Sequence, residues 1–184
     1  MSIGTSTAFS LEWIVARMRE QRPRSILDVG CGSGRWGVLA REFLEIWEHR
    51  YTSREWQVRI TGIDVHPGTW TPLHAYIYND TITADIRTYL LAAHHFDLII
   101  ACDVLEHMPK AAALALLTAF RRQARTLIGI PLGPGWLHPA GDDNPFSAHV
   151  SEWTEADFDG ATTKLVRTEE NGLLYGLFAF SKDT

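Results

Sequence analysis

The chain has 184 residues, 46% of them hydrophobic and 21% charged, with a formal net charge of −5. That length suits one domain that buries roughly 70% of its unfolded surface. The acidic balance argues against sequence-independent nucleic-acid binding, which needs clustered Lys and Arg.

Two cysteines, Cys31 and Cys102, have no CxxC spacing, which argues against a disulfide framework or a cysteine zinc site and fits a reducing cytoplasm. The opening MSIGTSTAFSLEW has no basic region followed by an apolar run, so no signal peptide is expected. No apolar stretch reaches membrane-spanning length. The expectation is a single cytoplasmic domain over residues 1–184, with 1–22 as an N-terminal helical segment.

Leu11 to Arg19 carries apolar residues at helical spacing, with Ser10 placed to cap it and Pro23 to stop it. SILDV (25–29) reads as a short buried strand. Trp36 to His49 reads as an amphipathic helix with Val38, Leu39, Phe43, Ile46 and Trp47 near one face. Val58 to Asp64 is a second strand that ends in an acid. Residues 66–72, rich in Pro and Gly, read as loop. Asp80 to Asp85 is a third strand. Phe96 to Cys102 is a fourth, apolar throughout and so expected to be buried on both faces. Lys110 to Ala124 is helical, and Thr126 to Ile130 is a fifth strand. A long loop, 131–151, precedes a short helix near Thr154–Phe158, with Thr154 as cap and Asp157 three residues on. Two β-rich runs flank Asn171-Gly172, a hairpin signal. Strands alternating with helices predict an α/β three-layer fold around a mostly parallel sheet, closed by an antiparallel hairpin.

The stretch ILDVGCGSGRWG (26–37) places Gly30, Gly32 and Gly34 where the first strand meets a helix. Ligands in such sheets bind outside the carboxyl ends of the strands, and glycine lets a ligand approach the backbone. A glycine turn of this kind also serves plain strand–helix packing. A dinucleotide fingerprint GxGxxG fails from Gly30, where Arg35 takes the third position, and starts two residues late from Gly32. The remaining pattern is DVGCGSG, with Asp28 inside the strand.

LDVGCGSG resembles the first motif of class I S-adenosylmethionine-dependent methyltransferases. The resemblance runs along nearly the whole chain in order: GID ending at Asp64, TADI at 83–86, FDLIIACDVLEHM at 96–108 and the terminal hairpin. It implies a Rossmann-like seven-stranded sheet in the order 3-2-1-4-5-7-6. It implies S-adenosylmethionine as cofactor and S-adenosylhomocysteine as product. The cofactor-binding residues would be Asp28, Gly30, Cys31, Gly32, Gly34, Asp64, Val65, Asp85, Ile86, Cys102 and Asp103. Asp64 would take the ribose hydroxyls, while Asp85 and Ile86 would meet the adenine. Asp85 could also cap a helix starting at ADIRTYLL. The family usually has a full helix after the second strand; here Pro67, Gly68 and Pro72 shorten that segment.

A sulfonium already activates its methyl group, so alignment and exclusion of water, which can contribute roughly 7–11 kcal/mol, do most of the work. A hydroxyl acceptor would gain about 10²–10⁴-fold from a general base. The candidates are His107 and His149, with His138 in the same loop as His149; each could instead be an anchoring residue. Asp103, Glu106, His107 and His149 also resemble the set that binds a divalent ion in small-RNA 2′-O-methyltransferases, which have Glu where Asp103 stands. The net charge and the lack of an RNA-binding segment weigh against that, and no metal is assigned. Substrate choice is expected from loops: the 1–22 segment, 65–78 and 131–153, carrying Trp13, Trp70, Tyr76, Tyr78, Trp136, Phe146 and Trp153. Such aromatics suit a planar or sugar-like small molecule. The expected activity is methyl transfer to a small-molecule acceptor, at oxygen. The expected partners are that acceptor and possible homodimer mates, without nucleic acid or membrane. A nicotinamide oxidoreductase and a non-catalytic subunit of a partner methyltransferase are the competing readings.

Overall fold

The apolar runs of the sequence lie side by side. In a computed structural model of the chain, residues 8–89, 91–141, 144–167 and 173–183 are described. There β1 (Ser25–Val29) pairs in parallel with β2 (Arg59–Asp64) on one side and β4 (Leu98–Cys102) on the other. β2 pairs with β3 (Asp80–Thr83), and β4 with β5 (Arg125–Leu132), again in parallel. β7 (Leu174–Phe180) and β6 (Thr162–Arg167) complete the sheet antiparallel. The order is β3-β2-β1-β4-β5-β7-β6, as expected. The turn residues Asn171-Gly172 lie outside the described residues.

Every residue of β4 is buried, because both faces of the sheet are covered. Side chains alternate between the two faces. Leu27, Val29, Ile99 and Ile128 meet Leu116, Leu117 and Phe120 of α4 (Lys110–Gln123). Ile26, Ile60 and Ile100 meet Ile14 and Met18 of α1 (Leu11–Gln21) and Trp36, Ala40 and Leu44 of α2 (Arg35–Leu44).

Four expectations are corrected. Ser10 does not cap α1: it has helical dihedrals, ends a 3₁₀ turn and makes no side-chain cap bond. The buried face of α2 is Trp36, Gly37, Ala40, Arg41 and Leu44, while Val38, Ile46 and Trp47 are exposed. That face is set by Arg41, which is 4% exposed. Its guanidinium donates to the carbonyls of Ile77 at 2.8 Å and Val58 at 2.6 Å and to Asn79 Oδ1 at 2.9 Å. Buried Glu45 accepts the Gln57 and Val58 amides and pairs with Arg50. Burial lowers the Arg41 pKa to about 10, against the pull of Glu45. Third, the segment after β2 is not all loop: it holds a six-residue helix, α3 (Pro72–Ile77). Fourth, β5 extends through Pro131 to Leu132, with Pro131 opposite Tyr175.

Candidate active site

The glycine turn sits at the carboxyl end of β1. Gly30, Gly32 and Gly34 have φ of 60°, 49° and 85°, a region other residues enter only with strain. The amides of Gly30 and Cys31 donate to the Ile63 carbonyl at 2.8 and 3.2 Å, which ties the turn to β2. Asp64, the last residue of β2, accepts the Gly32 amide through Oδ2 at 2.9 Å and the His66 amide through Oδ1 at 2.8 Å. Two of a carboxylate's roughly four acceptor sites are thereby used, which leaves capacity for two hydroxyls.

A cavity of about 430 Å³ opens beyond the ends of β1, β2 and β4, within the range of small-molecule sites, roughly 300–1,000 Å³. Of the residues singled out in the sequence, Gly30, Cys31, Gly32, Asp64, Val65, Asp85, Ile86, Cys102, Asp103, His107 and His149 line it. Asp28 and Gly34 do not. Asp28 is fully buried on the far side of the turn, where its Oδ2 accepts the Tyr78 hydroxyl at 2.6 Å. Burial pushes its pKa up to about 7, against the lowering effect of that bond. Sequence reasoning missed Ser33, Arg35, Met108 and Asn144, which also line the cavity.

Asp85 is held below the ordinary carboxylate pKa by Arg87, whose Nε and Nη2 lie 3.0 and 2.5 Å from Oδ2. It also accepts the Arg87 amide at 2.9 Å, but no α-helix starts there. Both cysteines are free and line the cavity. Burial pushes both thiols well above their ordinary pKa, so they are neutral walls, not nucleophiles.

The other end of the cavity is histidine-rich. Asp103 has a left-handed φ of 55°, its amide donates to Gly129 O at 2.8 Å, and its Oδ1 accepts the buried Tyr175 hydroxyl at 2.9 Å. His107 Nδ1 is 2.9 Å from Ala148 O. The amides of Val150 and Ser151 reach Glu106 O at 2.8 and 3.2 Å, so the loop after β5 is fastened across the turn after β4. That brings His149 within a ring-centroid distance of 4.8 Å of His107 and 4.1 Å of His138. Burial lowers the pKa of His107, and lowers that of His149 to about 4. Glu106 is 1% exposed, and neither carboxylate oxygen has a hydrogen-bond partner. Burial, then the charge of Asp103, push its pKa well up. One ligand atom each from Glu106, His107 and His149 fall within 4.8 Å of one another.

Of the loop aromatics, Trp136 and Phe146 line the cavity. Trp13, Tyr78 and Trp153 are core residues instead, and none of residues 8–22 lines the cavity. The N-terminal helix therefore supports the sheet; among its described residues it adds nothing to an acceptor wall.

A family model described as a methyltransferase domain matches residues 10–157. Magnesium protoporphyrin IX methyltransferase from Synechocystis PCC 6803, solved with bound SAM, is 18% identical over 94% of this chain and 79% of that one, with a TM-score of 0.60. The 1,6-didemethyltoxoflavin-N1-methyltransferase of Burkholderia thailandensis, with S-adenosylhomocysteine bound, is 21% identical over 95% and 79%, with a TM-score of 0.64. The methyltransferase domain of bacterial CtHen1 is 17% identical over 91% and 96%, with a TM-score of 0.55. No curated protein matches the sequence. With its glycine turn, its acid-ended β2 and its sheet order all in place, the chain belongs to the methyltransferase-domain family, in the class I, S-adenosylmethionine-dependent form.

Proposed function

We propose that this methyltransferase moves the methyl group of S-adenosylmethionine onto an oxygen of a small-molecule acceptor. The observation that carries the proposal is the pair of half-buried histidines, His107 and His149, that line the cavity with their pKa values lowered. The sulfonium supplies a methyl group that is already electrophilic. The chain supplies the seat: Gly30 to Ser33 and Asp64 on the donor side, and Met108, Trp136 and Phe146 on the acceptor side. With Nδ1–H of His107 donated to Ala148 O, the neutral ring keeps its lone pair on Nε2. That nitrogen accepts the hydroxyl proton as the oxygen–methyl bond forms. Burial keeps it unprotonated near pH 7.

The test is a screen of phenols, catechols and sugars with deuteromethyl-labelled donor, read by mass spectrometry as a labelled methyl ether. His107→Ala and His149→Ala should each lower kcat by about 10²–10⁴-fold while S-adenosylhomocysteine binding stays within about threefold of wild type. Full kcat in the double variant contradicts the assignment of the base. Normal cofactor binding with no transfer to any acceptor supports the non-catalytic subunit instead.

A second reading has its own observation: the orphaned Glu106 carboxylate beside His107 and His149. A buried carboxylate and two neutral imidazoles are a donor set that fits a divalent ion. Asp103, the fourth member of the set read from the sequence, is tied to Tyr175. When bound, such an ion would lower the pKa of a vicinal hydroxyl on a sugar or an RNA end. Equilibrium dialysis with Mn²⁺ separates the readings: one ion per chain, lost in Glu106→Gln, favours the metal-assisted reaction.

A further inference from the structure

We infer that His74 is a positioning residue for the methyl donor: it aims one peptide of the cofactor turn from behind. The inference rests on reading the cavity as the donor site. His74 belongs to α3, the short helix that sequence reading treated as loop. It is 1% exposed and does not line the cavity. Its Nδ1 accepts the Thr71 amide at 3.2 Å and lies 2.9 Å from the Thr71 hydroxyl. A neutral ring that accepts at Nδ1 carries its proton on Nε2. That Nε2 is 2.9 Å from the carbonyl of Gly32, so the histidine donates into the turn.

The Gly32 backbone is thus held at both ends. Its amide is bound by Asp64 at 2.9 Å and its carbonyl by His74 at 2.9 Å. In a trans peptide the C=O and the next N–H point in opposite directions. Drawing Gly32 C=O back to His74 therefore turns the Ser33 N–H to the other side, and Ser33 is a cavity-lining residue. The same N–H leads into α2, whose amino end adds partial positive charge. The ligand group such a donor selects is an anion: the carboxylate at the amino-acid end of the methyl donor. Asp64 repels that end and suits hydroxyls, so the two sides of the turn sort the two ends of the ligand.

His74 is itself fixed in place. It stacks on Tyr78 at 5.8 Å and meets the edge of Trp70 at 5.5 Å. Tyr78 in turn bonds Asp28. The bonds that fix His74 and the Gly32 carbonyl are made within the protein, so the Ser33 donor is set before the donor molecule arrives, which removes an ordering cost from binding.

The readout that separates aiming from mere support is a comparison of two ligands. S-adenosylhomocysteine has the amino-acid carboxylate; 5′-methylthioadenosine lacks it. Both are titrated calorimetrically into wild type, His74→Phe, His74→Gln and Thr71→Val. His74→Phe keeps the ring stack and loses both polar atoms; it should bind S-adenosylhomocysteine about tenfold more weakly with methylthioadenosine unchanged. His74→Gln restores a donor at the Nε2 position and should recover to within about threefold. Thr71→Val, which only loosens the ring, should shift the same ligand in the same direction by less and covers the case in which the Phe variant fails to fold. Equal losses for both ligands, or no loss for either, overturn the assignment to His74. A wild type silent toward both ligands overturns the donor-site reading and this inference with it.

Discussion

Asp28 and His149 are displaced in opposite senses by one cause, burial, and the two shifts make opposite demands on pH. Unfolded Asp28 titrates near 3.8 and the folded residue about 7. Between those values the native state binds the extra proton, so this group's contribution falls as pH rises. Asparagine does not titrate and still offers Tyr78 an acceptor. Ligand-free Asp28→Asn should therefore gain on wild type by about 3 kcal/mol between pH 4 and 7, at roughly 1.4 kcal/mol per pKa unit with the slope partial at both ends, read from urea midpoints. A difference that is flat with pH contradicts the buried acid. His149 runs the other way. Its folded pKa is about 4 against 6.5 for the free residue, so its contribution is complete above 6.5 and is lost as pH falls toward 4. With both His107 and His149 lowered by burial, the acid limb of kcat/KM should lie below pH 6.5. A limb at 6.5 or above contradicts the desolvated histidines. At this scale the sequence marked the glycines and the acids at strand ends, and left unmarked cavity residues such as Ser33, Met108 and Asn144, which carry no motif of their own. Asp64 announces itself at a strand end. Nothing near Asp28 shows that its partner is Tyr78, fifty residues on.

At the scale of elements, the contact between α2 and α3 decides the shape of the site's back wall. A Cβ on Gly37 would lie 2.6 Å from Tyr78 Cζ and 2.7 Å from its hydroxyl. Alanine there gains up to about 1 kcal/mol of helix propensity but overpacks a site where repacking costs about 1–3 kcal/mol. Gly37→Ala should lower the melting temperature and weaken S-adenosylhomocysteine binding; a rise in melting temperature would contradict the close approach of Tyr78 to Gly37. The strands were readable because parallel strands covered on both faces become apolar runs, as in LIIAC. The face of α2 was not, because its central buried residue is Arg41, which periodicity counts as polar. Its burial is set by carbonyls of Val58 and Ile77, which meet it only in the fold. Pro67 and Gly68 do keep a long helix from forming and lie in a 3₁₀ turn, but Pro72 opens α3, because proline is tolerated at a helix's first position.

At the scale of the molecule, the sheet order brings the ends of β1, β2 and β4 together, and one loop after β5 closes the far end. That loop brings His149 to His107 across 42 positions of sequence, through bonds to the backbone oxygens of Glu106 and Ala148. The whole arrangement has one central claim: the crevice at the glycine turn holds the methyl donor. Calorimetric titration of S-adenosylhomocysteine, with NAD as the control, tests it most directly. We expect one molecule bound per chain at micromolar affinity, weakened at least tenfold in Asp64→Ala, and no heat from NAD. No heat from S-adenosylhomocysteine together with saturable binding of NAD would contradict it.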